Sequence, residues 1–299
     1  MTLITVFSAP KPFIDPHIAI IQRNAIGSWT RLPETDVFLV GDESGMAETA
    51  REFGASHLPD VARNPEGTPL VSSIFSLARQ ASTAPLLVYV NADILLMPDL
   101  IVTAQQVMSS VKKFLIVGQR WDLDMTQPLD FSGDWSTRLQ LDARTRGEFH
   151  RPMGSDYFIF PRDCFIDMPG FAIGRAGWDN WMIYKSRKEG WVTVDASDYI
   201  MTIHQNHDYS HLPGGQPHYK LPETYENIRL AGGREVTRFT LLDTDRKLVD
   251  GRLQRPRWSG ERFVRWLETF PLLAFNNYWL ASRIAYVIRR IRIKLGLEK

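Results

Sequence analysis

Over residues 1–120, short branched and aromatic runs alternate with longer stretches of helical period. Few architectures accept that pattern. LITVFS at 3–8 reads as a strand stopped by APKP, and residues 16–31 read as a helix with Ile18, Ile21 and Ile26 near helical spacing. Residues 36–40 are a second strand ending in Gly41 and two acids, followed by a helix closed at Gly54. A helix over 68–83 starts near Thr68 and Pro69, LLVYV at 86–90 is a third strand, residues 97–111 are helical, and KFLIVG is a fourth strand. Strands alternating with helices in this way predict βαβ units: an α/β, Rossmann-like fold with a mainly parallel sheet and flanking helices. Ligands of such sheets bind at the carboxyl ends of the strands, where Ser8, Asp42, Asn91, Asp93 and Arg120 would gather.

The second half, from about 121, is less periodic and rich in Trp, Gly and Asp. A strand is predicted at 157–160, a helix from about Asn180, and strands in WVTVDAS and YIMTIHQ that lead into a histidine-rich loop. The expected organisation is an α/β half over 1–120, a less periodic half of the same compact unit over 121–220, and an extension over 221–299. The 299 residues suffice for a sizeable core. A net charge of +1 gives no global field that would attract nucleic acid. The single cysteine, Cys164, excludes a disulfide framework and reads as a small buried hydrophobe, in keeping with a reducing compartment. The N-terminal segment has no basic flank and reads as a first strand, not a signal peptide.

Within LLVYVNADILLM, a carboxylate interrupts two apolar runs, and a buried unpaired charge costs several kcal/mol. Asp93 therefore sits at a strand mouth or against a cation, and a hard divalent ion such as Mg2+ or Mn2+ suits such a carboxylate. The other reading is a turn in which Asn91 and Asp93 cap backbone groups. HQNHDYSH gathers His204, His207 and His211 with Asp208, either as a surface loop or as the source of a histidine that completes an Asp93 site. No standard zinc signature is matched. In GWDNW, Asp179 stands between two indoles, which suits a base of raised pKa or, equally, a helix N-cap. Asp156 in GSDYFIF is a second candidate acid. VARNPEGTPL offers Arg63, Asn64 and Thr68 before a helix, a setting suited to phosphate, with no P-loop or dinucleotide fingerprint.

Taken in order, these elements resemble a glycosyltransferase of the GT-A fold over roughly residues 1–211. The resemblance is to a group of bacterial and plant glycosyltransferase-like proteins. VYVNADIL is similar to the D-x-D-type motif, with Asn91 in the place of the first acid, then Ala92, and Asp93 retained. FSAPKP, with Ser8 and Ala9, is similar to the first-strand loop that contacts the nucleotide; Asp42 matches the acid facing the base, and ARNPEGTP the polar loop with Arg63, Asn64 and Thr68. GWDN resembles the segment that supplies the base in inverting members, pointing to Asp179, and TIHQNHDYSH resembles the late metal-binding histidine, from His204 or His207. The resemblance implies a nucleotide-diphosphate sugar donor, Mn2+ or Mg2+ on Asp93, and a glycan or lipid-linked acceptor, with Arg120 and Asp156 helping to place it. Tryptophans are natural walls for sugar rings, so Trp121, Trp178 and Trp181 are acceptor-side candidates, with core packing as the other reading of each. Competing readings are a non-catalytic carbohydrate- or nucleotide-sugar-binding protein, a sugar-phosphate nucleotidylyltransferase, whose glycine-rich first loop SAPKPF lacks, and a metal hydrolase built on HQNHD.

Residues 283–299 carry six basic residues against Glu298. Ala281, Ile284, Val287, Ile288, Ile291 and Leu295 recur at helical spacing as one apolar stripe, with Tyr278 and Trp279 upstream. Two readings stay open: a terminal helix docked on the core, or an in-plane helix over 275–299 on an anionic membrane surface. The second implies a cytoplasmic protein, peripheral on the inner leaflet.

Overall fold

The computed structural model describes residues 2–153, 155–207, 221–294 and 296. Asp208, His211 and Leu295 lie outside them. The predicted alternation appears as β1 (Ile4–Ser8), α1 (Pro16–Trp29), β2 (Thr35–Val40), α2 (Met46–Phe53), β3 (Ser56–Leu58), α3 (Val71–Ala81) and β4 (Leu86–Val90). There follow β5 (Ile94–Leu96), α4 (Asp99–Ser110), β6 (Phe114–Val117), β7 (Trp121–Leu123), α5 (Trp135–Arg146), β8 (Glu148–Phe149), β9 (Tyr157–Pro161) and α6 (Trp178–Lys188). The chain ends with β10 (Val192–Asp195), β11 (Thr202–Gln205), α7 (Pro222–Leu230), β12 (Arg246–Val249), β13 (Arg252–Gln254), α8 (Gly260–Ala274) and α9 (Tyr278–Lys294).

Among the described residues, nine strands form one sheet in the order β13-β12-β10-β6-β9-β4-β1-β2-β3. β3, β2, β1 and β4 run parallel, as do β6, β10 and β12. β9 lies antiparallel between β4 and β6, and β13 closes the far edge as a hairpin. The fold is thus the expected α/β class. The halves divided near residue 120 share the sheet, because β9, β10, β12 and β13 all come from the later part. β4 is buried along its whole length, which is why it reads as an unbroken apolar run. Side chains alternate across the sheet: Phe7, Tyr89 and Phe158 join Phe75 and Trp178 in one core layer, and Val6, Val88 and Ile159 join Trp29 in the other. Cys164 is buried, as expected.

A second sheet, β5-β11-β7-β8, was not anticipated as a unit. Each of β5, β7 and β11 follows a main-sheet strand (β4, β6 and β10) after a short connection. The chain leaves the carboxyl edge of the main sheet three times and pairs again beside it. ILLM, read only as an apolar return, is β5 of this layer. Trp135 and Leu139 of α5 pack beneath it.

Three expected details change. The helix placed at 68–83 starts at Val71, because Arg63 and Leu70 form isolated bridges to Pro69 and Ala172 that keep this stretch extended. Asp179 is not the cap of α6: Gly177 caps it with a left-handed backbone (φ 107°), and the Asp179 carboxylate accepts from the Gly177 amide at 3.2 Å. The apolar stripe of the terminal helix is not one free face. Ala281 and Ala285 are buried in the core, while Val287 and Ile291 are exposed.

Candidate active site

Within the main sheet, β1 connects onward to β2 on one side, while β4 lies on its other side. This is a point where the strand order reverses, and the crevice of an open α/β sheet lies at such a point beyond the carboxyl ends. Ser8 ends β1, and its hydroxyl donates to the Val90 carbonyl at 2.6 Å, tying the ends of β1 and β4 together. Ser8 is fully buried, and this hydroxyl is spent inside the sheet. Ala9 follows at the rim, packed on the core.

Asn91, Ala92 and Asp93 fill the gap between β4 and β5. The Asp93 backbone is pinned from below: its carbonyl accepts from the Gln205 amide at 3.1 Å and from Gln205 Nε2 at 3.2 Å. Gln205 is fully buried and is held in turn by Asn24 and the Ile21 carbonyl of α1. The antiparallel register of β5 and β11 sets His204 opposite Ile94, beside Asp93, and the parallel register of β7 and β11 sets it opposite Asp122. His207 Nε2 lies 3.1 Å and His204 Nε2 3.8 Å from Asp93 Oδ2. One ligand atom from each of Asp93, His204 and His207 falls within a span of 4.8 Å. Asp93 Oδ1 is buried and accepts no hydrogen bond among the described residues. An orphaned buried carboxylate oxygen beside two imidazoles fits a divalent cation.

The electrostatics agree with that donor set. Burial alone would raise the Asp93 pKa, but the hydrogen bond from His207 and the charges of His204, His207 and Lys11 outweigh it and hold the carboxyl ionised. Lys11, in the loop after β1, has its ammonium pushed down by burial and partly restored by Asp93. Asp122 accepts from His204 Nδ1 at 3.0 Å, His150 Nδ1 at 2.7 Å and Arg120 Nε at 2.9 Å. That contact orients His204 with Nε2 toward Asp93.

Asp156 precedes β9, whose antiparallel course brings its first residue, Tyr157, opposite Val90. Asp156 therefore stands beside Asn91: the Asn91 amide donates to the Asp156 carbonyl, and Asn91 Nδ2 to its Oδ1, both at 2.9 Å. Arg120 pairs with the other oxygen of Asp156, and the Tyr89 hydroxyl donates to Asn91 Oδ1 at 3.1 Å. Asn91 is thus the donor that holds a second acid, which a carboxylate in its place could not be. The Asp179 carboxyl is raised, by burial first and also by the charge of Asp156.

The structure brings Asn91, Asp93, Arg120, Asp156, His204 and His207 into one connected site. Asp42, Arg63, Asn64 and Thr68 form another polar cluster, at the end of β2. Arg63 pairs with Asp42 and with Glu43 (2.9 Å) and donates to the Gly67 carbonyl, while Asn64 bridges the Thr68 amide and Glu223. Trp121 is half-buried with its ring 5.2 Å from that of exposed Phe149. Of its two readings, Trp178 takes core packing: it is 4% exposed and packs edge-on against Tyr89 and Phe75. The sequence reading missed Lys11, Asp122, His150 and Gln205. Lys11 lies in the loop after the first strand and Gln205 between the histidines of HQNHDYSH, but their roles, like those of Asp122 and His150, depend on pairings that no local pattern reveals.

No protein-family model matches the chain, and no curated protein matches it. Solved structures do. The mannosyltransferase PcManGT from Pyrobaculum calidifontis, in complex with GDP-Man and Mn2+, is similar at TM-score 0.46 and 15% identity over 97% of this chain and 75% of that one. Glucosyl-3-phosphoglycerate synthase from Mycobacterium tuberculosis, in complex with Mg2+ and uridine-diphosphate, is similar at TM-score 0.48 and 16% identity over 86% of this chain and 87% of that one. A complex of the latter with Mn2+, uridine-diphosphate and phosphoglyceric acid is similar at TM-score 0.48 and 13% identity. Likeness at this level assigns no residue.

Proposed function

We propose that the chain is an inverting glycosyltransferase that moves a sugar from a nucleoside-diphosphate donor to an acceptor hydroxyl. The observation that carries this reading is the Asp93–His204–His207 cluster, with its orphaned carboxylate oxygen, at the reversal point of a parallel sheet. These three residues would hold Mn2+ or Mg2+, and two imidazoles among the ligands favour Mn2+. When bound, the ion offsets the charge that builds on the leaving diphosphate. Asp42, Arg63, Asn64 and Thr68, with Ala9 and Ala92 at the rim, are the donor-side contacts. Asp179 is the base. The acceptor oxygen attacks the anomeric carbon, the bond to the diphosphate oxygen breaks with its electron pair going to the diphosphate, and the hydroxyl proton passes to the Asp179 carboxylate. Its raised pKa suits that task. Asp156, fixed by Asn91 and Arg120, positions the acceptor, and Trp121 offers the ring wall.

The test is a thermal-shift titration with UDP and GDP, with and without Mn2+, on the parent and two variants. Asp93→Ala should lose the Mn2+-dependent shift and remain folded. Asp179→Asn should keep nucleotide and metal binding, while turnover falls by roughly 10²-fold or more. Nucleotide binding that ignores Mn2+ in the parent would end the metal reading. Binding without turnover on any nucleotide sugar would favour the non-catalytic alternative.

A further inference from the structure

We propose that the outward face of α8, with Trp258 just before it, docks on an anionic lipid bilayer. The helix is amphipathic, but its faces are reversed. Phe263, Trp266, Leu267 and Phe270 recur at i, i+3, i+4 and i+7, the spacing of a stripe that normally faces a core. Here they are exposed by 49%, 42%, 37% and 43%, and Trp258 by 68%. The inward face holds Arg265, Glu268 and Thr269 instead, all buried. Arg265 Nη1 reaches Glu268 at 3.1 Å and pairs with Asp243, and Arg292 of α9 reaches Glu268 at 3.1 Å. The interior ion pairs fix which side of α8 faces inward, so the aromatic stripe is held outward. Its rings form a continuous row, with centroids 6.3 Å apart from Trp258 to Phe263, 6.2 Å from Phe263 to Trp266 and 5.1 Å from Trp266 to Phe270. A contiguous apolar surface of this kind calls for a partner.

Charge decides which partner. Residues 252–294 carry ten Arg and Lys against two acids, in a chain of net charge +1. Glu268 is consumed inside together with Arg265 and Arg292, which leaves eight basic residues and Glu261 as the exposed acid in this stretch. Arg255 and Arg257 are exposed beside Trp258, and on α9 the Arg283 guanidinium lies 4.1 Å over the exposed Trp279 ring. A second copy on the same face would set arginine against arginine across a two-fold axis. Anionic headgroups complement it instead, and Trp with Arg at an apolar face suits the headgroup–acyl boundary. Among the described residues no helix is long and apolar enough to cross a membrane, so the contact is in-plane. The sequence alone pointed to α9, whereas the exposed aromatic row belongs to α8. This inference does not depend on the reaction assigned to the active site.

The test is co-sedimentation of the full chain with vesicles of phosphatidylcholine alone and mixed with phosphatidylglycerol, at low and high salt. Pelleting with the anionic vesicles, weakened by salt, is expected. Trp266→Ser with Phe270→Ser should cut it by at least about tenfold, the least that losing two membrane-buried rings implies. If that variant unfolds, Arg255→Glu with Arg257→Glu replaces it and should also reduce anionic binding. No binding to anionic vesicles, or binding that a folded variant leaves unchanged, overturns the proposal. A concentration-dependent dimer in the parent, abolished by Trp266→Ser with Phe270→Ser, overturns it in favour of a second copy.

Discussion

Asp122 accepts from His204, His150 and Arg120 at once, and its pKa is driven down despite burial because all three contacts favour the carboxylate. Its contact with His204 is the outer support of a proposed metal ligand. Asp122→Asn should therefore weaken Mn2+ binding by about 10–100-fold, measured by calorimetry, and leave the fold intact. Unchanged affinity would mean that His204 is not a ligand or needs no support. A different carboxyl bears on the pH dependence of stability. Asp99, at the start of α4, is pushed up to about 6, by burial first, with the Met201 and Leu100 amides acting against it. The folded chain thus holds this proton to higher pH than the unfolded chain does. Stability should fall as pH rises from about 4 to about 6 and then level off. Asp99→Asn should reduce that slope in the pH dependence of the thermal midpoint, the remainder coming from the raised carboxyls of Asp179 and Glu268. At this scale Asp93 could be read from sequence because a charge in an apolar run announces itself. Asp122 could not, since it lies 82 residues from His204 and only strand register joins them.

At the scale of elements, α6 depends on a backbone conformation more than on its side chains. Gly177 caps it at φ 107°, and its amide donates to the Asp179 carboxylate. A Cβ at that position would stand 3.3 Å from Thr237 as well as in a backbone region that L-residues avoid. Gly177→Ala should destabilise the chain by about 1–3 kcal/mol in chemical denaturation. It should also lower turnover while Mn2+ binding persists, because the strain falls on Asp179 and not on the metal cluster. An aspartate ahead of a helix reads as the cap on local pattern alone. The sequence does not show that a left-handed glycine takes that place, or that Asp179 lies close enough to Asp156 to feel its charge. β9 is a similar case: its five residues are recognisable as a strand, but not their antiparallel insertion between β4 and β6, which brings Asp156 to the site.

For the whole molecule, the parallel sheet was legible because alternating period leaves little choice of architecture, while the pairing of the chain beyond residue 120 back into the same sheet was not. The terminal hairpin of α8 and α9 shows why: its inward face is charged, so hydropathy points the wrong way. Lys188 of α6 donates to the Leu272, Leu273 and Phe275 carbonyls at 3.0–3.1 Å, capping α8 from the helix that carries Asp179. From the other side, Arg289 and Arg292 of α9 face Glu268, while Ala281 and Ala285 seal the layer. A chain ending at Asn277 would strip Glu268 of two of its three cationic neighbours and leave Arg265 to serve both Glu268 and Asp243. Removing one side of a buried pair costs about 3–5 kcal/mol, so the denaturation midpoint of the shortened chain should fall sharply. Glu268→Gln in the shortened chain should restore part of it, because the uncompensated charge is gone. The same change in the full chain should destabilise, because it leaves buried arginines short of a partner. If Glu268→Gln fails to help the shortened chain, the loss comes from the apolar seal at Ala281 and Ala285, and the ion pairs orient the hairpin without stabilising it.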